Sequence, residues 1–186
     1  MTRDANNIIL GTGRLWINDT EVGYLKGDVE FSYVREKLDF KPSGVLAPVM
    51  QFVIGETAEL KASEAEFKLT SLQLAMGVTT TIDSFSGSPS YNPASFSAAV
   101  LKTFDYLTFG GSTTVDETLA IRFEHIRPNS TKKIIIILYT AVSLSDLALA
   151  FHDEDFNLID VAFRGLADAS RPAGDQIGMV IEQMIA

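Results

Sequence analysis

Two segments of this chain alternate regularly between apolar and polar residues, and that period of two constrains the fold more than any other feature. The segments are Asp28–Arg35 and Thr57–Ser63. Successive side chains of a β-strand point to opposite faces of a sheet, so this alternation is typical of strands with one buried face and one solvated face. The inward positions predicted on this basis are Val29, Phe31, Tyr33, Ala58, Leu60 and Ala62.

The remaining periodic segments predict a mainly β domain. Further strand-like runs are Gly13–Asn18, Val100–Phe109, Leu119–Arg127, Lys132–Val142 and Leu158–Leu166. One helix is predicted at Glu64–Met76, where apolar residues recur at helical spacing and Gly77 provides a stop; the alternative is a shorter helix capped by Thr70 or Ser71. We therefore expect residues 1–186 to form a single domain, a β-sandwich or partly closed barrel with one flanking α-helix.

Three segments are predicted to lie outside the strands: a long loop at 37–52, a polar loop at 84–97 and a C-terminal arm at 167–186. The long loop contains two prolines and a glycine, yet it is too apolar to lie free in water. We predict that it packs against another subunit; the alternative is that it folds back on its own core. The candidate contact residues are Leu38, Phe40, Val45, Leu46, Val49 and Met50.

The composition leaves little for an enzyme to use. The chain has no cysteine, which excludes disulfides, thiolate metal sites and cysteine nucleophiles. It has two histidines, and His125 shares the apolar face of its strand, which predicts a buried structural residue. No serine lies in a Gly-x-Ser-x-Gly motif. We predict no enzymatic activity, no catalytic residue, no cofactor and no metal.

The charge balance argues against a protein that grips nucleic acid. The chain has 15 basic and 24 acidic residues, for a net charge of −9, whereas binding to phosphates requires the opposite sign. The most apolar run is Ile134–Val142, far shorter than the ~20 residues that cross a bilayer. No membrane binding is predicted.

Both ends of the chain and one central segment carry motifs of a known family. Near the start are Gly11-x-Gly13-x-Leu15, then Glu21-Val22-Gly23 and Gly27-Asp28-Val29; Glu56–Ala62 leads into a helix ending Leu74–Gly77; Val161–Asp168 comes late. In these motifs and in their order, the chain resembles the tail tube protein (major tail protein) family of tailed bacteriophages.

The resemblance implies a structural subunit. Such a subunit has a β-sandwich-type fold and contributes strands to the inner β-barrel of a hexameric ring, and stacked rings make the tube through which genomic DNA passes into the host. The implied partners are further copies of the chain, the tail tip or baseplate initiator, the tail terminator, the tape measure protein, and a sheath where the tail has one. The implied location is the virion tail, after assembly in the host bacterial cytoplasm.

The acidic balance suggests which residues face the DNA. A basic lumen would bind duplex DNA along its length, whereas an acidic lining repels it over about the ~8 Å Debye length. By hypothesis the polar faces of the two alternating strands line the channel, with Asp28, Glu30 and Glu59 toward the DNA and Lys61 departing from the acidic pattern. The alternative is that these carboxylates keep an outer surface soluble.

Two other functions remain open at this level. The same tube could belong to a phage-like contractile injection device or a gene transfer agent, since both require an inert hydrophilic lumen. A ligand-binding β-sandwich could use Trp16 and the five tyrosines as stacking platforms. Trp16 lies beside Leu15 and Ile17, however, and core packing is the simpler expectation for it.

Overall fold

The chain forms mostly antiparallel β-structure. The computed structural model describes residues 13–44, 46–66, 68–76, 83–86, 103–106, 117–127, 131–145 and 158–185. Its elements in chain order are β1 (Arg14–Ile17), β2 (Thr20–Glu21), β3 (Glu30–Phe40), β4 (Met50–Glu64), α1 (Leu69–Ala75), β5 (Asp83–Ser86), β6 (Thr103–Tyr106), β7 (Leu119–Ile126), β8 (Lys132–Ser143), β9 (Ile159–Gly165) and β10 (Gly178–Met184).

Eight of these strands belong to one sheet. Seven follow the order β2-β1-β7-β8-β9-β4-β3, and β10 pairs with β8 outside that path, while β5 and β6 form a separate pair. The mainly β prediction is thus confirmed. Closure into a sandwich or barrel stays a prediction, because the described strands form an open sheet with β2 and β3 at its ends.

β9 and β10 lie end to end along one edge of β8. β9 pairs with residues 141–143 of β8, and β10 pairs with residues 132–138. Residues 166–177 leave the sheet between them, bounded by hydrogen bonds from Leu166 N to Thr140 O (2.7 Å) and from Tyr139 N to Ile177 O (3.1 Å). Within the predicted C-terminal arm at 167–186, Gly178–Met184 thus forms β10 of the main sheet.

The core lies on one face of this sheet. β4, β7 and β9 bury alternate residues, and Leu60 and Phe163 are fully buried. α1 adds Leu72 to the same cluster. The inward positions predicted on β4, Ala58, Leu60 and Ala62, are confirmed. Val29 and Phe31, also predicted to point inward, are partly buried against the core. Tyr33 itself is 49% exposed.

Two residues singled out in the sequence lie on opposite faces of the sheet. His125 is buried on the core face, as predicted. Trp16 lies on the other face of β1 from the buried Leu15 and Ile17, where the Arg122 guanidinium covers its ring at 4.4 Å from the centroid. The prediction of core packing for Trp16 is therefore wrong, since β1 is short and alternates strictly.

The helix is shorter than predicted. It begins at Leu69, because Glu64 ends β4 and the next residues continue extended pairing. Ala65 N donates to Tyr24 O (2.7 Å), and Lys26 N donates to Ser63 O (2.9 Å). Of the predicted polar loop at 84–97, residues 84–86 belong to β5 and the rest lies outside the described residues.

The predicted long loop at 37–52 is strand at both of its ends. Residues 37–40 continue β3 and residues 50–52 begin β4, so the connection is confined to residues 41–49. Pro42, Gly44 and Pro48 all lie in that connection. The loop predicted from these three residues is too long at both ends, because the flanking residues pair across the hairpin as Leu38 with Phe52 and Phe40 with Met50.

Phe163 provides a test of the core. We expect Phe163→Ala to lower the free energy of unfolding by about 3–5 kcal/mol, since it removes a fully buried ring and leaves a cavity. Chemical denaturation measures the change. Ile126→Ala, at a side chain that is 56% exposed, is the control and should change stability little. Equal losses in the two variants would contradict the assigned core.

Candidate assembly surfaces

A two-stranded ribbon projects beyond the sheet. β4 pairs with β9 only through residues 59–64, whereas its residues 50–58 pair with β3 alone. We call residues 33–58 the ribbon: the distal part of β3, the connection 41–49 and the distal part of β4. Because no described strand supports its outer half, this half depends on its own cross-strand pairs.

The ribbon exposes an unusual amount of apolar surface. Leu46, in the connection, is fully exposed, and Val49 beside it is 63% exposed. The other large apolar side chains that are exposed on the ribbon are Tyr33, Val34, Leu38, Phe40, Met50, Phe52, Val53 and Ile54. Isolated exposed apolar residues are ordinary, but a contiguous apolar patch of this kind marks an interaction surface in a soluble protein.

The predicted contact residues all fall on this ribbon where they are described. Leu38, Phe40, Leu46, Val49 and Met50 are each more than half exposed. Val45 lies outside the described residues. The described part of this segment does not fold back on the core, which was the alternative considered; whether another subunit covers it stays a prediction.

A β-bulge interrupts the ribbon near its base. Glu36 pairs with Gly55 and Lys37 pairs with Val53, so Ile54 has no opposite residue on β3. Gly55 is suited to this place, because a Cβ there would lie 3.1 Å from the Glu36 carboxylate. A bulge bends its strand and increases the local twist, so the ribbon is bent near its base.

The face of the sheet opposite the core carries paired charges, and we call it the charged face. Outside the ribbon, the strand registers place the following charged residues on it: Arg14, Glu21, Glu30, Glu59, Lys61, Arg122, Glu124, Lys133, Asp160 and Arg164. Five of these are acidic and five are basic. Within the ribbon, Glu36 lies on the same side of β3 as Glu30, so the described part of the charged face is close to neutral, although the whole chain is acidic.

Glu59 lies at the centre of one group of these charges. Arg164 donates to its carboxylate from Nε (3.1 Å) and Nη2 (2.9 Å), and Lys61 Nζ is 3.9 Å away. The lumen candidates Glu30, Glu59 and Lys61 thus share one face, while Asp28 is exposed just before β3. Arg164 of β9 thus places a cation beside Glu59 that alternation within β4 does not reveal; whether this face lines a channel stays a prediction.

The 166–177 excursion is held by a compact polar cluster. Arg171 Nη2 lies 3.0 Å from Asp175 Oδ2, and its guanidinium stacks on the Tyr139 ring at 3.5 Å. The Tyr139 hydroxyl donates to Asp175 Oδ1 (2.6 Å). These bonds, first that from Tyr139 and then that from Arg171, lower the pKa of the Asp175 carboxyl. The excursion is therefore tied to β8 beside the break between β9 and β10.

Glu64 is a buried carboxyl that the sequence interpretation missed. It is 1% exposed and joins three segments: it ends β4, accepts the Gly23 N–H at 3.2 Å, and accepts the hydroxyl of Ser71 from α1. Burial raises its pKa above the ordinary 4.5, and the two hydrogen bonds oppose that shift. The signal was present, because the period of two that buries Ala62 also buries residue 64.

The described residues hold no group of three or more His, Asp or Glu that could bind a metal ion. His152, the second histidine, lies outside them. Within the same described part of the chain, no helix has the length and apolar character needed to cross a membrane.

No protein-family model matches the chain, and a comparison with curated proteins also finds no match.

Glu64 predicts a pH dependence of stability. Folding raises the pKa of Glu64, so the native state binds the carboxyl proton more tightly than the unfolded state does. The stability that this proton contributes is present below about pH 4.5, and it is lost as the pH rises from there through the raised pKa of the folded protein. Glu64→Gln keeps an acceptor for Gly23 and removes the buried charge. We expect this variant to gain stability relative to the wild type as the pH increases to neutrality.

Denaturant unfolding at several pH values measures this effect. Glu36→Gln, which removes an exposed carboxylate on the ribbon, is the matched control. A Glu64→Gln curve that runs parallel to the wild type from acid to neutral pH would show that Glu64 is not the titrating group.

Proposed function

We propose that the chain is the structural subunit of a bacteriophage tail tube, which forms hexameric rings that stack into a hollow conduit for genomic DNA. The observation that carries this proposal is the ribbon, because its apolar surface has no cover in the single chain. An obligate assembly covers such a surface, and its interfaces exceed ~2,000 Å². The tail-tube resemblance of the sequence motifs supports the same conclusion.

The open edges of the sheet support ring formation. β3 has 11 residues and lies at one end of the sheet, and no described strand pairs with its outer edge. The far end is the two-residue β2. Exposed edges recruit further strands, and a closed ring of subunits removes them. In this proposal, neighbouring copies continue the sheet around the ring and form the inner barrel.

The charged face lines the lumen in this arrangement. Three of its acids, Glu21, Glu59 and Glu124, each have a base within 3.9 Å, and opposite charges this close largely cancel beyond the ~8 Å Debye length. Passing DNA meets a hydrophilic wall with little net charge to hold its phosphates. The lumen of this proposal is therefore close to neutral, in place of the acidic lining expected from sequence.

The partners and location follow from the proposed role. The tube begins on the tail tip or baseplate initiator, encloses the tape measure protein and ends at the tail terminator, all within the virion tail. The same architecture serves a contractile injection device or a gene transfer agent.

Ligand stacking on Trp16 is disfavoured, because Arg122 already covers one side of its ring.

Leu46 tests the assembly. Its side chain is fully exposed, so Leu46→Asp should leave the fold intact while placing a charge in the proposed interface. We expect the wild type to form rings and tubes in negative-stain electron microscopy as the concentration rises. The variant should need at least about tenfold more protein, as for loss of an interface anchor.

Ile126→Asp is the control for this experiment, since Ile126 is also exposed but lies on the charged face. It should assemble as the wild type does. A wild type that stays monomeric at every concentration and also fails to extend preformed tail tips would refute the tube proposal.

Glu59 tests the lining. In Glu59→Lys, the new lysine, Lys61 and Arg164 would form a group of three cations. Tubes of this variant should therefore retain duplex DNA at low salt and release it as the salt concentration is raised. Wild-type tubes should retain none. Glu117→Lys, the same charge change at an exposed position before β7, is the control. Equal retention by both variants would mean that the charged face is not the lumen.

A further inference from the structure

A cleft opens where the ribbon separates from the sheet. β4 runs beside β9 through residues 59–64 and then diverges, while β10 continues along β8. The space between them is about 660 Å³, within the range of pockets that enclose small ligands. No described strand pairs with the side of β4 or of β10 that faces this space.

The walls of the cleft are mainly apolar. The ribbon contributes Tyr33 and Ile54 on one side, and β10 contributes Met179 and Val180 on the other. Ile54 and Val180 are 61% and 60% exposed, so apolar surface on both walls faces solvent in the single chain. Glu56 is the one charged residue among those that line the cleft.

The tip of the ribbon has the complementary character. The connection 41–49 exposes Leu46 and Val49, and Lys41 is its one charged residue. An apolar tip with a single cation therefore matches an apolar cleft with a single anion. Glu56 also pairs with Arg35 at 3.2 Å, and that pair lies at the half-exposed surface, where a carboxylate can accept a second cation.

The tip of one chain does not reach its own cleft. Glu56 at the cleft and Met50, the first residue after the connection, are six residues apart on one extended strand, which is about 20 Å at ~3.3 Å per residue. Cross-strand pairing along β3 holds the tip at that distance. The copy that supplies the tip must therefore be a second one.

We infer that the ribbon tip of one copy docks in the cleft between β4 and β10 of the next copy, with Leu46 and Val49 against Ile54 and Val180 and with Lys41 near Glu56. This inference rests on the proposed self-assembly and identifies the acceptor surface. The two surfaces differ, so the contact is heterologous, and its repetition generates a closed ring or an extended stack.

Cysteine cross-linking tests this contact, because the chain has no native cysteine. Full-length Leu46→Cys and Val180→Cys proteins with different tags are mixed under assembly conditions and oxidised gently. A disulfide requires Cα atoms within about 7 Å, so we expect a tagged heterodimer in several-fold excess over either homodimer. Leu46→Cys mixed with Ile126→Cys, at a similarly exposed site on the charged face, should give only background.

A charge exchange provides a second readout. Glu56→Lys and Lys41→Glu should each weaken self-association roughly tenfold, and the double variant should restore it, since the pair is re-formed in the opposite sense. Circular dichroism confirms that each variant is folded. Failure of the double variant to recover while both single variants are weakened would overturn the pairing of Lys41 with Glu56.

The outcomes separate this inference from the proposed function. Tubes in the microscope with cross-linking no greater than in the Ile126→Cys control would overturn the docking and leave the tube intact. Specific cross-linking without rings or tubes, even on preformed tail tips, would support the docking and overturn the tube. Absence of cross-linking together with absence of assembly, alone and on preformed tail tips, would overturn both.

Discussion

The pairing of β8 on both of its edges is the constraint on which the rest of this structure depends. β7 occupies one edge of β8, and β9 followed by β10 occupies the other. Because β9 also pairs with β4, the core and the ribbon are both anchored through this strand. The 166–177 excursion sits at the junction, tied to Tyr139 of β8 by Arg171 and Asp175.

The end-to-end arrangement of β9 and β10 explains both the ribbon and the cleft. β4 pairs with β9 only through residues 59–64, so residues 50–58 of β4 pair with β3 alone and form the ribbon with it. This leaves apolar residues in solvent at a cost to the isolated chain. In the proposed tube, neighbouring copies would cover the ribbon and recover that cost.

Charge is distributed unevenly over the chain. On the charged face, bases lie close to Glu21, Glu59 and Glu124, while most of the acidic surplus lies elsewhere in the chain. The buried Glu64 is an exception, since its carboxyl is held by Gly23 and Ser71 at the joint of β4 and α1. Polar bonds at such a joint specify one geometry, because an unsatisfied buried carboxylate would cost several kcal/mol.

The sequence by itself determined which faces of the strands are buried: alternation placed Leu60 in the core and Glu59 outside, and it buried His125. It also identified the apolar segment that became the ribbon. Only the tertiary structure decided that this segment is a hairpin, that Arg164 neutralises Glu59 from 105 residues away, and that a cleft opens beside Val180. The reason is physical, since periodicity depends on adjacent residues, whereas strand pairing joins residues far apart in the chain.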